Sequence, residues 1–222
     1  MTSSCPLSQN PWAYVLVVTI IIASLTGYAY TGTRTALDTT VHKGLESTAA
    51  VMATRINASD IAGLMPGDEG SPRYMAVVRQ LRTMRSMDDQ ILNAYILKVN
   101  PDQSATFLVD DLYPDDPAGS AKTGELSTDP NRMEIFRALS VPTSSKEPYT
   151  TKYGSFMSAY APIDDSQGGS GGNTYAVLAI DMSASTYMNA VNSSGYAILL
   201  AGIVSILLAA VGILRWGKMP KK

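Results

Sequence analysis

Two long apolar stretches lie near the two ends of the chain, with a mixed polar and apolar segment between them. From Trp12 to Tyr30 the only ionisable side chains are tyrosines, and the second stretch extends from Tyr196 to Leu214. At 1.5 Å per residue each stretch would span roughly 28 Å as a helix, which matches the hydrocarbon core of a bilayer. We therefore expect transmembrane helices over residues 12–30 and 194–216.

A cleaved signal peptide is the competing interpretation of the first apolar stretch, because small residues follow it near the N-terminus. However, no Lys or Arg precedes Trp12, and the stretch is longer than the apolar core of most signal peptides. These two features favour a retained helix.

Charge predicts which side of the membrane each segment occupies, since Lys and Arg next to a span tend to remain in the cytoplasm. The tail after the second stretch carries basic residues and no acid: Arg215, Lys218, Lys221 and Lys222. Residues 31–193 instead hold all 19 acidic and 13 of the 17 basic residues, a net charge of −6. We expect a two-span protein of the cell membrane, with residues 1–11 and 217–222 in the cytoplasm and residues 31–193 outside it.

The residues that follow the first span have the spacing of a helix. Most of the side chains that recur every three or four positions are apolar, which draws one stripe along a helix: Leu37, Val41, Leu45, Thr48, Met52 and Ile56. This stripe predicts a stalk helix that continues the first span to about residue 57. A second helix is expected from Ser71 to about Met87, because Ser71 can cap it and Pro72 suits its first turn.

Beyond residue 90 the pattern changes to that of β-strands. Residues Ile91–Val99 and Ala105–Leu112 are rich in strand-forming side chains and flank an Asn-Pro-Asp turn. A short helix at Arg132–Leu139 precedes two more strands, at Phe156–Ile163 and Tyr175–Ile180. These elements predict an α+β domain with an antiparallel sheet, placed between two transmembrane helices.

The last two predicted strands carry a distinctive sequence. YGSFMSAYAPIDD at residues 153–165 is followed by YAVLAID at residues 175–181. This pair resembles the closing hairpin of extracytoplasmic Cache domains, also called PAS-like or PDC sensor domains. The family pattern is Gly, an aromatic residue, Ser-Ala-Tyr-Ala-Pro-Ile, a short Asp/Gly turn and a Val/Leu-rich strand ending in Asp. The resemblance covers roughly residues 33–188, and the QGGSGGN insertion in the turn departs from it.

The resemblance implies a long N-terminal helix, an antiparallel PAS-like sheet and sensing of a small molecule. Such domains usually sit between two membrane helices of histidine kinases, diguanylate cyclases and chemoreceptors. Only six residues follow Trp216, so we expect a sensor that has no output domain of its own and signals through a separate partner. The alternative is a non-sensing structural or accessory membrane subunit that keeps the Cache fold.

The residue content disfavours several other functions. The chain has one histidine and one cysteine, whereas zinc sites and nucleophilic triads need clusters of such residues. We therefore expect no enzyme activity, no metal site and no cofactor. Acid pairs such as Asp110-Asp111 and Asp164-Asp165 lack the spacing of a calcium loop and are expected at solvated turns and strand ends. The negative charge of the central segment argues against nucleic-acid binding.

A ligand pocket is expected where cationic, hydroxyl and aromatic side chains come together. Arginine can bind a carboxylate through two parallel hydrogen bonds, and tyrosines can close a pocket while offering a hydroxyl. The candidate ligand-binding residues are Arg79, Arg82, Tyr95, Tyr149, Lys152, Tyr153, Ser158 and Tyr160, with Arg85 beside the first two on their helix. They suit a small organic anion or an amino-acid-like ligand.

These candidates also have structural interpretations. The three arginines can form a solvated helix face, and Tyr160 can belong to the core. Asp181 stands where strand meets helix and is expected to cap that helix. The stalk stripe is expected to pack partly against the sheet and partly against a second copy, which predicts a homodimer.

Overall fold

The computed structural model describes residues 11–113, 115–164 and 176–216, in which two long helices flank a six-stranded sheet. The helices are α1 (Pro11–Ala53), α2 (Ala58–Ile61), α3 (Pro72–Arg85), α4 (Arg132–Arg137) and α5 (Ala184–Trp216). The strands are β1 (Ile91–Val99), β2 (Ala105–Asp110), β3 (Thr143–Ser144), β4 (Tyr149–Thr151), β5 (Gly154–Pro162) and β6 (Ala176–Ser183). This architecture confirms the predicted α+β class.

The chain divides into two compact units. The first, Thr40–Met188, contains the sheet and the shorter helices, and the second combines α1 up to Thr39 with α5 from Asn189 onward. Both α1 and α5 are long and apolar enough to cross a membrane, and their most apolar windows are almost fully exposed. As the stalk stripe predicts, α1 is one continuous helix that ends at Ala53.

Two glycines of α5 lie against α1 within the second unit. A Cβ atom added at Gly202 would lie 2.5 Å from Thr26 Oγ1, and one added at Gly195 would lie 2.6 Å from Tyr30 Cε2. Small residues let helix backbones approach closely in membranes. The side chains of Thr26 and Tyr30 therefore fill the space that a larger residue on α5 would need.

The sheet is antiparallel, with strand order β2-β1-β6-β5-β3. The first part of β5 pairs with β4, and its later part pairs with β3. The two predicted hairpins meet at the centre, where β6 lies between β1 and β5. The enlarged turn at residues 167–173, Tyr175 and the basic tail at residues 217–222 lie outside the described residues.

Apolar side chains bury both faces of the sheet. One face forms a core cluster that includes Leu97, Phe107 and Val177 and is closed by Ile135 of α4. The stalk stripe also contributes to burial, since Leu45, Met52 and Ile56 are buried within the first unit. Helix α3 packs against β1 and β2 with these buried residues: Tyr74, Val77, Val78 and Leu81.

Candidate functional site

A cavity of about 390 Å³ lies over the sheet face that carries Tyr95 and Phe107. Strands β1, β2 and β6 supply its floor, while the segment between β2 and α4 and the β4–β5 turn supply its walls. Among the described lining residues there are four carboxylates and one cation: Asp110, Asp116, Asp129, Asp181 and Lys152. The volume falls within the range of small-molecule sites in proteins.

Strand register brings the polar residues of the floor together. Asp181 of β6 lies opposite Asn93 of β1 on one side and opposite Ser158 of β5 on the other. Because side chains alternate along a strand, Asp181 shares a face with the buried residues Val177 and Ala179 of its own strand. An acid thus extends into the face that the apolar cluster occupies.

Asp181 is 3% exposed and accepts hydrogen bonds from three side chains. Its Oδ1 lies 2.5 Å from Ser158 Oγ and 3.1 Å from the Tyr95 hydroxyl, and its Oδ2 lies 3.4 Å from Asn93 Nδ2. The pKa of Asp181 is raised from 3.8 to about 7, first because burial removes water from the carboxylate. The hydrogen bond from Ser158 opposes this shift, and the charge of Asp129 adds to it.

Asp129 is a second buried carboxylate, just before α4. Its Oδ2 accepts a hydrogen bond from the Tyr149 hydroxyl at 2.8 Å and another from the Tyr160 hydroxyl. Its Oδ1 accepts from the backbone and side-chain nitrogens of Asn131, each at 2.8 Å. Burial is the main reason that the pKa values of Tyr149 and Tyr160 are raised, so both remain neutral donors.

A hydroxyl chain joins the two acids. Tyr149 OH lies 2.8 Å from Ser158 Oγ, so that Asp129, Tyr149, Ser158 and Asp181 form one continuous path of hydrogen bonds. Tyr149 comes from β4 and Ser158 from β5, and the pairing of these strands holds the path in place.

The rim of the cavity carries a pair of opposite charges. Lys152 Nζ lies 2.6 Å from Glu125 Oε1, and the Tyr153 hydroxyl donates to the same oxygen at 2.5 Å. The Lys152 side chain is 59% exposed, and its hydrogen bond to Glu125 is the main reason that its pKa is raised. The only cation of the described lining is therefore already paired.

The candidate residues fall into three groups. Tyr95, Tyr149, Lys152 and Tyr153 line the cavity. Ser158 and Tyr160 are fully buried and hydrogen-bond to residues of the lining. The arginines of α3 do not belong to the described lining.

Two of those arginines bind the end of β2 instead. Arg82 Nε donates to the Asp111 carbonyl oxygen at 2.7 Å, and its Nη2 lies 2.9 Å from Asp115 Oδ2. Arg85 Nε donates to Asp111 Oδ2 at 2.5 Å, and its Nη1 donates to the Leu92 carbonyl oxygen. Arg79 lies exposed on the same helix.

Several polar residues of the described lining are absent from the set predicted from sequence, among them Asn93, Asp110, Asp129 and Asp181. The expectation that Asp181 caps α5 is wrong, because β6 extends past it to Ser183. Ser183 Oγ accepts the hydrogen bond from Thr186 N at 3.0 Å and so caps the helix. The alternation from Val177 through Ala179 to Asp181 could have shown that this acid faces the core.

Comparison with known proteins gives limited guidance. No family model and no curated protein matches the chain. One matching crystal structure is described as the extracellular domain of a histidine kinase, mmHK1S-Z2, with 12% sequence identity and a TM-score of 0.38. The match covers 76% of this chain and 61% of that one, so it spans less than two thirds of the matched structure. Functional inference therefore rests on the geometry of this chain.

Proposed function

We propose that the protein is a membrane-anchored sensor whose extracytoplasmic domain binds a small molecule in the cavity over the sheet. The observation that carries the proposal is the cavity itself, about 390 Å³ with three buried carboxylates and several tyrosines in its lining. Burying a carboxylate is costly unless it is paired and hydrogen-bonded, and a buried acid with a raised pKa in a cleft is a candidate functional group. A non-sensing accessory subunit has no need for such a cavity.

The charges of the cavity favour a ligand that carries a protonated amine. Four carboxylates line it, while the Nζ of Lys152 is held by Glu125. A cationic group gains both from the carboxylates and from neighbouring tyrosine rings. Between a small organic anion and an amino-acid-like ligand, this balance favours the amino-acid-like one.

Signalling is proposed to use the two long helices. Asp181 lies on the strand that ends at Ser183, and α5 begins at the next residue. A ligand held by Asp181 is therefore only a few residues from the start of a helix that is long and apolar enough to span a membrane. Packed helices tend to shift between discrete arrangements, which a separate signalling partner can read.

The binding test uses the full chain in detergent micelles and a panel of amines, amino acids and carboxylic acids. A ligand at a hundredfold excess over its Kd stabilises the fold by about 2.7 kcal/mol, which a thermal shift detects. We expect amine-bearing compounds to raise the Tm and Asp181→Asn to abolish the rise. Asp89→Asn removes an equal charge at an exposed position and is the control. A panel with no stabilising compound would favour the accessory subunit.

The topology requires its own test. We propose that residues 31–193 face outward and that both termini face the cytoplasm, because the basic residues cluster after the second apolar stretch. A tag placed after Lys222 should stay protected from protease in intact cells, while the central domain should be cleaved. Exposure of that tag would contradict the proposed orientation.

A further inference from the structure

The hydrogen bonds at the base of the cavity need more protons than its hydroxyls supply. Four hydroxyl groups, those of Tyr95, Tyr149, Ser158 and Tyr160, make five oxygen-to-oxygen hydrogen bonds of 3.1 Å or less with one another and with Asp129 and Asp181, besides a longer contact of 3.4 Å between the hydroxyls of Tyr149 and Tyr160. Each hydroxyl carries one proton, and an ionised carboxylate carries none. Four protons cannot occupy five hydrogen bonds, so with both acids ionised one pair of oxygens would face each other without a proton.

The missing proton belongs to the path that joins the two acids. The hydroxyls of Tyr149 and Ser158 carry two protons in total. The path from Asp129 through these two hydroxyls to Asp181 contains three hydrogen bonds. The proton can reside on Asp129 or on Asp181, since the two hydroxyls can reverse their direction in step. The bonds of Tyr95 and Tyr160 use their own protons and do not change this count.

We propose that Asp129 and Asp181 share one proton through Tyr149 and Ser158 at neutral pH. The shared proton reduces the charge of the acid pair from −2 to −1, which lowers the cost of keeping it buried.

The surroundings of the pair support a bound proton. Burial raises the pKa of Asp181 to about 7, and the charge of Asp129 also acts in this direction. The ionisable and polar groups around the pair come from β1, β2, β4, β5 and the segment before α4: Asn93, Tyr95, Asp110, Asp116, Glu125, Asn131, Tyr149, Lys152, Tyr153, Ser158 and Tyr160. Lys152, the only cation among them, is bound by Glu125.

The shared proton gives the proposed sensor a pH dependence, and this consequence rests on the proposed function. A ligand ammonium group that enters the acid pair brings the positive charge that the proton supplied. The proton then leaves to solvent, so binding of the amine competes with protonation. Affinity for an amine should rise as pH rises through the raised pKa of Asp181.

Infrared spectroscopy of the full chain in detergent micelles tests the shared proton without any ligand. A protonated carboxylic acid has a C=O stretching band that an ionised carboxylate lacks. Spectra at about pH 6, below the raised pKa of Asp181, should show this band, and spectra at rising pH locate where it disappears. Asp110, whose pKa burial raises to about 6, adds its own band, so the comparison is made between variants that all retain Asp110.

Two matched tyrosine variants separate the proton count from a loss of structure. Tyr160→Phe removes one proton, the hydrogen bond to Asp129 and the 3.4 Å contact with Tyr149, so the path between the acids still lacks one proton and the band should disappear at the same pH as in the wild type. Tyr149→Phe removes one proton and two of the three hydrogen bonds of the path, so the shortfall disappears and the band should be lost at a lower pH, where only burial still raises the pKa of Asp181. Thermal melting establishes that both variants are folded.

The outcomes distinguish the shared proton from the proposed function. A wild-type band that disappears at the same pH as that of Tyr149→Phe would overturn the shared proton. The ligand arm uses methylammonium at about pH 6 and about pH 8, with the larger thermal shift expected at the higher pH. If the infrared band is present but methylammonium causes no thermal shift, the proposed amine ligand is contradicted while the shared proton stands. A thermal shift with methylammonium that is the same at both pH values would contradict competition between the amine and the proton.

Discussion

At the scale of single residues, Asp181 shows how register can place an acid inside a core. It occupies an inward position of β6, where Val177 and Ala179 precede it on the same face. Three hydrogen bonds replace part of its lost hydration. Burial nevertheless raises its pKa to about 7, so the protonated form is favoured in the folded chain.

The first prediction follows from the sign of that shift. In the folded state Asp181 binds a proton more tightly than in the unfolded state, so the free energy of unfolding should fall as pH rises from about 4 to about 7. A shift from 3.8 to about 7 corresponds to roughly 4 kcal/mol as an order of magnitude. Denaturant unfolding of the full chain in micelles at several pH values measures this loss.

Asp181→Asn is the variant that isolates the effect. Its stability should decline less steeply over the same pH window than that of the wild type. Asp110 has a pKa raised to about 6 and contributes a decline of the same sign in both proteins. Equal slopes in wild type and variant would show that Asp181 ionises normally in the fold.

Sequence could predict only part of this site. Tyr149, Lys152 and Tyr153 come from one short stretch beside the predicted hairpin, and that nearness in sequence is why they share a wall of the cavity. Asp129 enters from a segment without regular structure, just before α4. An irregular segment has no hydrophobic periodicity that would predict which face of the sheet it covers. The contacts of Asp129 with Tyr149 and Tyr160 could therefore not be predicted from the sequence.

At the scale of elements, α3 is attached to the sheet by charge as well as by apolar packing. Arg85 binds Asp111, whose side chain has no solvent exposure, while Asp111 also accepts a hydrogen bond from Ala94 N at 3.1 Å. The pKa of Asp111 is raised mainly by burial, and Arg85 opposes that shift. The regular spacing of the arginines thus reflects attachment of the helix to β2.

The second prediction concerns this attachment. Arg85→Ala leaves a buried carboxylate without its partner and should reduce the free energy of unfolding by about 3 kcal/mol. Arg79→Ala removes an exposed arginine from the same helix and should change stability by less than about 0.5 kcal/mol. Denaturant titration of both variants in micelles provides the measurement. Equal effects of the two substitutions would contradict a structural role for Arg85.

The third prediction concerns the contact between α1 and α5. Gly202→Leu places a large side chain where Thr26 now lies, so the two helices should separate. Gly212→Leu is the control, because nothing lies within 4 Å of a Cβ atom built at that position. Spin labels at the exposed positions Ile20 and Leu208, in a Cys5→Ser background, should report a longer distance in Gly202→Leu only. An unchanged distance would mean that the glycine is not required for the approach.

Element boundaries were predicted best where the hydrophobic pattern and the capping or turn residues agree. Ser71 and Pro72 mark the start of α3, and Ser71 Oγ indeed accepts the hydrogen bond from Tyr74 N. The first hairpin was also predicted, because β1 and β2 are rich in strand formers on either side of a proline turn. The two-residue strand β3 and the three-residue β4 were missed, since strands so short have no readable alternation.

At the scale of the whole molecule, burial along α1 determines which of its residues can contact a second copy of the chain. Leu45 and Met52 of the predicted stripe are buried within their own domain, so they are not available to a second copy. A groove of about 550 Å³ lies between α1 and α3, where the buried Met52 forms part of its base and the exposed Ser47 and Val51 lie on its α1 side. Val51 is 61% exposed there.

The last prediction is that a homodimer, if the stalk helices pair in parallel, uses this exposed side of α1. In a two-fold parallel pair the same residue of each copy meets near the axis, and Ser47 and Val51 lie four positions apart on one helix face. In a Cys5→Ser background, Ser47→Cys and Val51→Cys should therefore form disulfide-linked dimers in native membranes. Leu45→Cys and Ala49→Cys are matched controls and should crosslink weakly, because both positions are buried within the domain and do not line the groove. Crosslinking of the buried positions as strong as that of the exposed ones would contradict this interface, and an absence of crosslinks at all four would contradict the parallel dimer.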